Sequence, residues 1–221
     1  MIKTACSKFA AYLRKSPIQG IGLLLVIAGI IMMLSSLGMI LYAHFAKINE
    51  VNDYLETIAE IKAGNLEPEA FTGAPEAEGD EAEAEEDEEI PGTKIGVLSI
   101  PSIDCCEVIV EGTGSSSLRK SLGHMTDTAY PGEDGNCVIA GHRNYNFGLY
   151  FNRLNEVEVG DEISIVTPEG GYMYKVYSIT TVLPEDTYVT EDEGKEEITL
   201  ITCTPIYIAS HRLIVKAERI N

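Results

Sequence analysis

Residues 94–221 are predicted to form an all-β domain, a mainly antiparallel barrel or sandwich. Three observations favour this class: short runs rich in β-branched and aromatic residues, turn signals such as PGEDGN and PEGG between them, and no long helical pattern. The runs are KIGVLSIPSI, EVIVEG, NCVIAGH, DEISIVTP, GYMYKVYSITTVLP, EITLITCT and HRLIVKAERI. We therefore expect seven or eight strands, with two short helices around residues 116–121 and 149–157.

An uncharged apolar stretch covers residues 17–43, which is long enough for one tilted helix to cross a bilayer. Residues 1–16 contain four lysines and arginines, whereas only Lys47 and Lys62 follow within the next fifty residues. The positive-inside rule therefore predicts a single-pass protein of the cell membrane, with residues 1–16 in the cytoplasm and the later residues extracellular. A cleaved signal peptide is the alternative, but the length of the stretch favours an uncleaved transmembrane helix.

Two segments join this stretch to the β domain. Residues 44–63 repeat apolar side chains at steps of three and four: Ile48, Val51, Leu55, Ile58 and Ile61. This spacing predicts an amphipathic stalk helix, which packs on the domain, pairs with a second copy or lies on the membrane. Residues 64–93 are dominated by acids, Ala, Pro and Gly, a composition typical of an extended linker.

The chain is strongly acidic, with a formal net charge of −19. Binding to nucleic acid is not expected, because phosphate contacts need clustered Lys and Arg. No cofactor or metal is expected either. Calcium in the acidic linker is a weaker alternative, since the linker lacks the glycine-turned ligand spacing of a calcium loop.

The five cysteines do not indicate a disulfide framework. Cys105 and Cys106 are adjacent and alternate between the faces of a predicted strand, so a bond between them is disfavoured. A bridge from one of them to Cys137 stays open, but we expect all three to be small buried hydrophobic side chains.

Cys203 is different because of its neighbours in the chain. It ends the predicted strand ITLITC, and the loop 204–211 is long enough to return the chain antiparallel. Arg212 then begins the next strand and can lie opposite Cys203 where the two antiparallel strands meet the loop. An ordinary cysteine thiol is mostly protonated at neutral pH, so a nucleophilic cysteine needs a base or a cation beside it. Arginine offers a charged fork of donors that suits a carbonyl oxygen or an oxyanion.

Proton transfer to a leaving amine requires a histidine. His142 lies where the run NCVIAGH ends in a polar loop, which is the same topological position as that of Cys203. His124 is expected to make structural hydrogen bonds, and His211 to be a loop residue. The predicted site of a cysteine transferase or peptidase is therefore His142, Cys203 and Arg212.

The segments PGEDGNCVIAGHR, ITLITCTP and HRLIV resemble the sortases, membrane-anchored cysteine transpeptidases of Gram-positive bacteria. The resemblance covers roughly residues 94–219. It implies an eight-stranded β-barrel, and it implies that His142 is the catalytic histidine, Cys203 the nucleophile and Arg212 the catalytic arginine. It also implies a calcium-binding alternative in the acidic loop 185–197, where a solvated loop is the preferred interpretation.

The activity implied by this resemblance is a two-step acyl transfer. Cys203 cleaves a sorting signal of surface proteins, similar to Leu-Pro-x-Thr-Gly, between Thr and Gly, and a thioacyl enzyme forms. An amine of a peptidoglycan precursor, or a pilin lysine, then resolves it and joins the protein to the cell wall. The backbone N–H of Thr204 is expected to bind the oxyanion with Arg212, and Thr202 to help shape the substrate pocket.

Two classes of the family remain open. The segments CTP and HRLIV resemble the pilin-polymerising class, which usually carries an Asp-Pro-Trp or Asp-Pro-Phe lid and a second membrane helix. This chain has neither tripeptide and no second long apolar stretch, which favours the single-anchor class that attaches proteins to the wall. Two further hypotheses are a non-catalytic membrane-tethered β module and a cysteine peptidase that releases its product to water.

Overall fold

One long helix and a closed barrel of eight strands make up the described structure. The computed structural model describes residues 17–65, 92–143 and 150–221, and side chains of the long helix from Ile21 onward. The predicted cytoplasmic segment 1–16 and residues 66–91 of the predicted linker lie outside the described residues. The chain divides into two units, Met1–Asn49 and Glu50–Asn221.

The long helix α1 spans Pro17–Lys62 without interruption. It covers both the apolar stretch 17–43 and the segment 44–63 predicted to be a stalk helix that continues from it. By length and composition the helix is able to cross a membrane, which agrees with the one spanning helix predicted from the sequence. Its side chains between Ile21 and Phe45 are almost all exposed in the isolated chain, as expected for a surface that faces lipid.

The strands follow one another along the second unit, separated by short loops. They are β1 (Lys94–Ile100), β2 (Cys105–Glu111), β3 (Leu122–His124), β4 (Asn136–Ala140), β5 (Glu162–Val166), β6 (Gly171–Val182), β7 (Glu197–Thr204) and β8 (His211–Arg219). A short helix α2 (Ser115–Leu118) and a 3-10 helix (Leu154–Glu156) occupy the two predicted helical regions. Two more 3-10 turns, at Pro101–Ile103 and Thr187–Thr190, had no clear sequence signal.

The barrel closes in the order β1-β2-β3-β4-β7-β8-β6-β5. The prediction of an eight-stranded barrel is therefore confirmed. Most neighbours are antiparallel, as predicted, but β2 with β3 and β4 with β7 are parallel pairs. The parallel pair of β4 and β7 matters most, because the C-terminal ends of two parallel strands meet at the same rim of a barrel.

The two larger apolar clusters of the described residues stabilise the barrel. The interior is filled by alternate strand residues, among them Leu98, Ile139, Ile163, Leu200 and Val215, all with no exposed surface. On the outside, the last turns of α1 cover strands β1 and β2: Val51, Tyr54 and Ile58 pack against Val97, Val108 and Val110. Of the three packing modes open to the predicted stalk helix, the structure shows the one on its own domain.

The cysteine expectations hold in part. Cys105 and Cys137 are buried, with 5% and 1% of their surface exposed, and both belong to the barrel interior. Cys106 is exposed, so its prediction as a buried side chain is wrong. The physical reason is the alternation of β2, which turns Cys105 inward and the next residue outward.

Candidate active site

His142 and Cys203 lie level with each other on neighbouring parallel strands. In the register of β4 and β7, Ala140 is the partner of Ile201, and the N–H of Gly141 donates to the carbonyl of Ile201 at 3.0 Å. Continuing this register by two residues sets His142 beside Cys203. Neighbouring strands are about 4.8 Å apart, so the two residues leave the same rim of the barrel side by side.

Arg212 lies on the other side of Cys203. The two residues are Cα partners in the antiparallel pair of β7 and β8. Residues directly opposite in such a pair have Cβ atoms about 4.5–5.5 Å apart. Cys203 and Arg212 thus lie on neighbouring strands, and His142, two residues past the end of β4, lies on the other side of Cys203.

The alternation of β7 and β8 directs the side chains of Cys203 and Arg212 to the outer face. Leu200 and Leu213 belong to the barrel interior. Cys203 is three residues beyond Leu200 and Arg212 is one before Leu213, so each has the opposite parity. The outer-face residues Ile201 and Ile214 pack in a small cluster with Val182 and Val189.

The three side chains differ in exposure and in their contacts. His142 is exposed, and Cys203 is half-buried with a free thiol. Arg212 is half-buried, and its Nη1 donates to the carbonyls of Ala209 and His211, each at 3.2 Å. The thiol is therefore accessible and not held in a disulfide, while the guanidinium lies against the loop that joins β7 to β8.

Thr202 and Thr204 flank Cys203 and use their hydroxyls within the protein. Thr202 is 2% exposed, and its Oγ1 donates to the carbonyl of Gly141 at 2.7 Å. This contact lies under the site, so Thr202 is able to shape a pocket only from below. Thr204 is half-buried, and its Oγ1 accepts a hydrogen bond from Arg143 Nη1 at 2.8 Å.

Arg143 is the residue whose contacts the sequence interpretation missed. Its Nη2 donates to Asn155 Oδ1 at 2.7 Å and its Nε donates to the carbonyl of Asn152 at 3.4 Å, besides the bond to Thr204. Partial burial lowers the pKa of this guanidinium. The signal available in the sequence was its position directly after His142, but an arginine at a strand end reads equally well as a surface charge.

The segment of His142 rests on the buried ring of Phe151. The N–H of Phe151 donates to the carbonyl of His142 at 3.3 Å. A β-carbon at Gly141 would lie 2.6 Å from both Phe151 Cδ2 and Leu122 Cδ2. Only glycine allows the chain to pass this close to the core just before His142.

The other two histidines of the domain have structural surroundings. His124 has no exposed surface; its Nδ1 lies 3.2 Å from Glu111 Oε2 and its Nε2 lies 3.0 Å from the carbonyl of Ala129. This agrees with the predicted structural hydrogen bonding. His211 is the first residue of β8, and its Nδ1 contacts Ser210 Oγ at 2.9 Å.

The acidic loop before β7 is partly neutralised by bases. Glu193 and the buried Glu197 both accept hydrogen bonds from Lys216 Nζ, at 3.0 and 3.1 Å. Within residues 17–65, 92–143 and 150–221, no three or more His, Cys, Asp or Glu side chains are grouped to hold a metal ion. Calcium binding in this loop stays an untested alternative.

Comparison with known proteins identifies the family of the chain. The sortase domain family matches residues 98–220, more than half of the chain. Sortase D of Bacillus subtilis is 30% identical over 184 residues, which cover 81% of this chain and 91% of that protein.

Two solved structures share the barrel. A lid mutant of sortase A from Corynebacterium diphtheriae is 39% identical and has a TM-score of 0.55, covering 57% of this chain and 70% of that one. A sortase D5 transpeptidase of Clostridium perfringens is 35% identical with the same TM-score, covering 59% and 81%. The chain therefore belongs to the sortase family and is a cysteine transpeptidase.

Proposed function

We propose that this enzyme cleaves a sorting signal similar to Leu-Pro-x-Thr-Gly between Thr and Gly and joins the new Thr carboxyl group to an amine of the cell wall. Sortases act on sorting-signal substrates and amine acceptors, and they are associated with the membrane of Gram-positive bacteria. The observation that supports the assignment of residues is the placement of Cys203 opposite Arg212 on β7 and β8, with His142 two residues past the paired end of β4 on the other side of Cys203.

In the first step, His142 takes the thiol proton of Cys203, and the sulfur attacks the carbonyl carbon of the Thr residue. The resulting oxyanion is stabilised by Arg212 and by the backbone N–H of Thr204, which are donors directed at charge that develops only in the transition state. As the C–N bond breaks, His142 gives a proton to the leaving glycine amine. The products are a thioacyl enzyme and the released glycine-bearing fragment.

In the second step, the acceptor amine attacks the thioacyl carbon. His142 takes the proton that the amine loses and passes it to the sulfur as the C–S bond breaks, and the new amide leaves. Splitting one difficult exchange into two transfers is the general advantage of a covalent intermediate. A half-buried thiol on an open rim allows both peptide chains to reach the same sulfur.

The class of substrate is inferred from a motif that the chain lacks. The chain lacks an Asp-Pro-Trp or Asp-Pro-Phe tripeptide, which supports attachment of surface proteins to a peptidoglycan amine over polymerisation of pilins through a lysine.

We also propose that α1 is a single-pass anchor with residues 1–16 in the cytoplasm and the barrel outside, because basic residues flank its N-terminal side. An anchored barrel then meets substrate and acceptor at the outer membrane surface.

The test uses the full chain purified in detergent and a panel of five-residue sorting peptides, with glycine, stem-peptide or lysine amines as acceptors. We expect mass spectrometry of the intact protein to detect a thioacyl adduct and the product to partition toward the amide. Cys203→Ala should abolish the adduct, whereas Cys106→Ser, which removes an exposed thiol of β2, should leave it. Unchanged turnover in Cys203→Ala would disprove the assignment of the nucleophile.

A further inference from the structure

The neighbours of His142 are hydrogen-bonded to the neighbours of Cys203. On one side, Thr202 Oγ1 donates to the carbonyl of Gly141 at 2.7 Å. On the other side, Arg143 Nη1 donates to Thr204 Oγ1 at 2.8 Å. Each candidate catalytic residue is therefore bracketed by a pair of cross-strand bonds that do not involve its own side chain.

These two cross-strand hydrogen bonds lie where the regular hydrogen bonding between β4 and β7 ends. Strand β4 ends at Ala140, and the last bond of the parallel register is the one from the Gly141 N–H to Ile201. His142 thus follows the end of the strand, where ladder bonds no longer fix the chain. The bond from Arg143 to Thr204 replaces a ladder contact at this point, and it is made by a side chain.

Arg143 is well suited to a fixed arrangement. Three of its nitrogens donate to three separate acceptors, Thr204 Oγ1, Asn155 Oδ1 and the carbonyl of Asn152. The planar fork of a guanidinium is preorganised for such multiple bonds. None of the three acceptors is a carboxylate, so these bonds hold a geometry and do not form an ion pair.

We propose that Arg143 is a positioning residue that sets the distance and direction between the imidazole of His142 and the sulfur of Cys203. The inference rests on the roles proposed above for these two residues. Arg143 touches neither reacting atom; it links the chain after His142 to the chain after Cys203 and fastens both to the 3-10 helix at Leu154–Glu156.

The expected consequence is a loss of rate and not of binding. A misplacement of about 1 Å in reacting groups is able to cost about 100-fold in rate. For Arg143→Met, which keeps much of the side-chain length without its donors, we expect the rate constant of thioacyl formation to fall about 10- to 100-fold. The KM for the sorting peptide should change less than about threefold, because an effect confined to the transition state leaves KM unchanged.

A conservative variant and a control variant test this expectation. Arg143→Lys keeps the charge and one donor group, so we expect an intermediate rate. Arg119→Met is the matched control, since it removes an exposed arginine next to α2, and its rate and melting temperature should equal those of the wild type. A wild-type rate constant in Arg143→Met would overturn the proposal.

The deciding measurement separates positioning from a general structural or electrostatic effect. Alkylation of Cys203 by iodoacetamide is followed in full-length protein in four backgrounds: wild type, Arg143→Met, His142→Gln and the double variant. If Arg143 acts through His142, Arg143→Met slows alkylation of the otherwise wild-type protein. The double variant is then alkylated at the same rate as His142→Gln alone. Equal slowing by Arg143→Met in both backgrounds would overturn the proposal, because a direct effect of charge or fold on the sulfur does not require the imidazole.

The alkylation assay also distinguishes failure of the proposed function from failure of the positioning role of Arg143. If no sorting peptide forms an adduct while the coupling between Arg143 and His142 is still measured, the proposed substrate is wrong and the positioning role stands. If His142→Gln does not change alkylation, the proposed catalytic pair is wrong and the positioning role fails with it. Should Arg143→Met unfold, Arg143→Lys and Asn155→Ala, which removes one acceptor, supply the same comparison.

Discussion

The backbone of Gly141 passes directly over the ring of Phe151, and a β-carbon at position 141 would lie 2.6 Å from Phe151 Cδ2. Phe151 has no exposed surface and lies within the barrel core, so the ring has little space to retreat. The position of the chain that carries His142 is therefore set by the absence of a side chain one residue earlier.

Gly141→Ala should lower both stability and activity. Overpacking of this kind costs about 1–3 kcal/mol, and any outward shift of the chain moves His142 away from Cys203. Thermal unfolding and the rate of thioacyl formation measure the two effects. The control is Gly171→Ala, at the start of β6, where an added β-carbon meets nothing within 4 Å. Equal behaviour of the two variants would contradict the close-packing argument.

Arg212 should be needed for the rate of acylation more than for peptide binding. Removing one donor to an oxyanion costs about 100- to 1,000-fold in rate, and we expect a loss of this size in Arg212→Met. Arg212→Lys should recover part of it, since lysine keeps the charge without the fork. Stopped-flow acylation at saturating peptide is the measurement. The control is Lys175→Met, which removes an exposed charge on β6, at the end of the β6–β8 pair opposite to Arg212. An equal loss of rate in this variant would argue against a local role of Arg212.

Tyr54 should contribute mainly through its ring. It is 2% exposed against β1 and β2, and its hydroxyl donates to the carbonyl of Lys94 at 2.8 Å. We expect Tyr54→Ala to lower the free energy of unfolding by about 3–5 kcal/mol and Tyr54→Phe by about 0.5–1.5 kcal/mol. Urea unfolding of the full chain in detergent checks this. Tyr188→Ala, at an exposed tyrosine, should change stability by less than about 0.5 kcal/mol; similar losses at both sites would refute the packing role of α1.

Stability should fall in alkaline solution because of two tyrosines of β6. Burial raises the pKa of Tyr174, and burial together with the hydrogen bond to Glu197 raises the pKa of Tyr177, from an ordinary value of 10.0. The folded chain then holds these protons more tightly than the unfolded chain. The stabilisation is complete below about pH 10, where both states are protonated, and is lost as the pH rises further.

The measurement is the urea midpoint between pH 8.5 and 11. We expect it to fall above about pH 10 and to fall less steeply in Tyr174→Phe, which lacks one of the titrating groups. A midpoint that is flat over this range in the wild type would contradict the prediction.

Much of the barrel was predictable because strand alternation is a local property. Seven runs of β-branched and aromatic residues became seven of the eight strands. The eighth, β3, has only three residues, Leu122–His124, too few to show any periodicity. The parallel pairing of β4 with β7 was not predicted, because these strands are separated by more than fifty residues and the pattern of neither one specifies its partner.

The candidate site also has parts that the sequence predicts and parts that depend on the tertiary structure. Cys203 and Arg212 were predictable as neighbours, since a hairpin return after a strand sets two residues of known spacing opposite each other. His142 was predictable from the chemistry of its side chain, from its place at the end of a strand and from the resemblance of its segment to the family motif. The hydrogen bond from Arg143 to Thr204, 61 residues later in the chain, was not predictable, because it depends on contact between two distant segments.

The sequence by itself determined the long apolar helix, the strands and the kinds of side chain available for acyl transfer, because these depend on composition and on periodicity over a few residues. Only the tertiary structure decided which strand ends share a rim and which hydroxyls and guanidinium nitrogens join them. That choice depends on how the barrel closes, and closure is a property of all eight strands together and of no single segment.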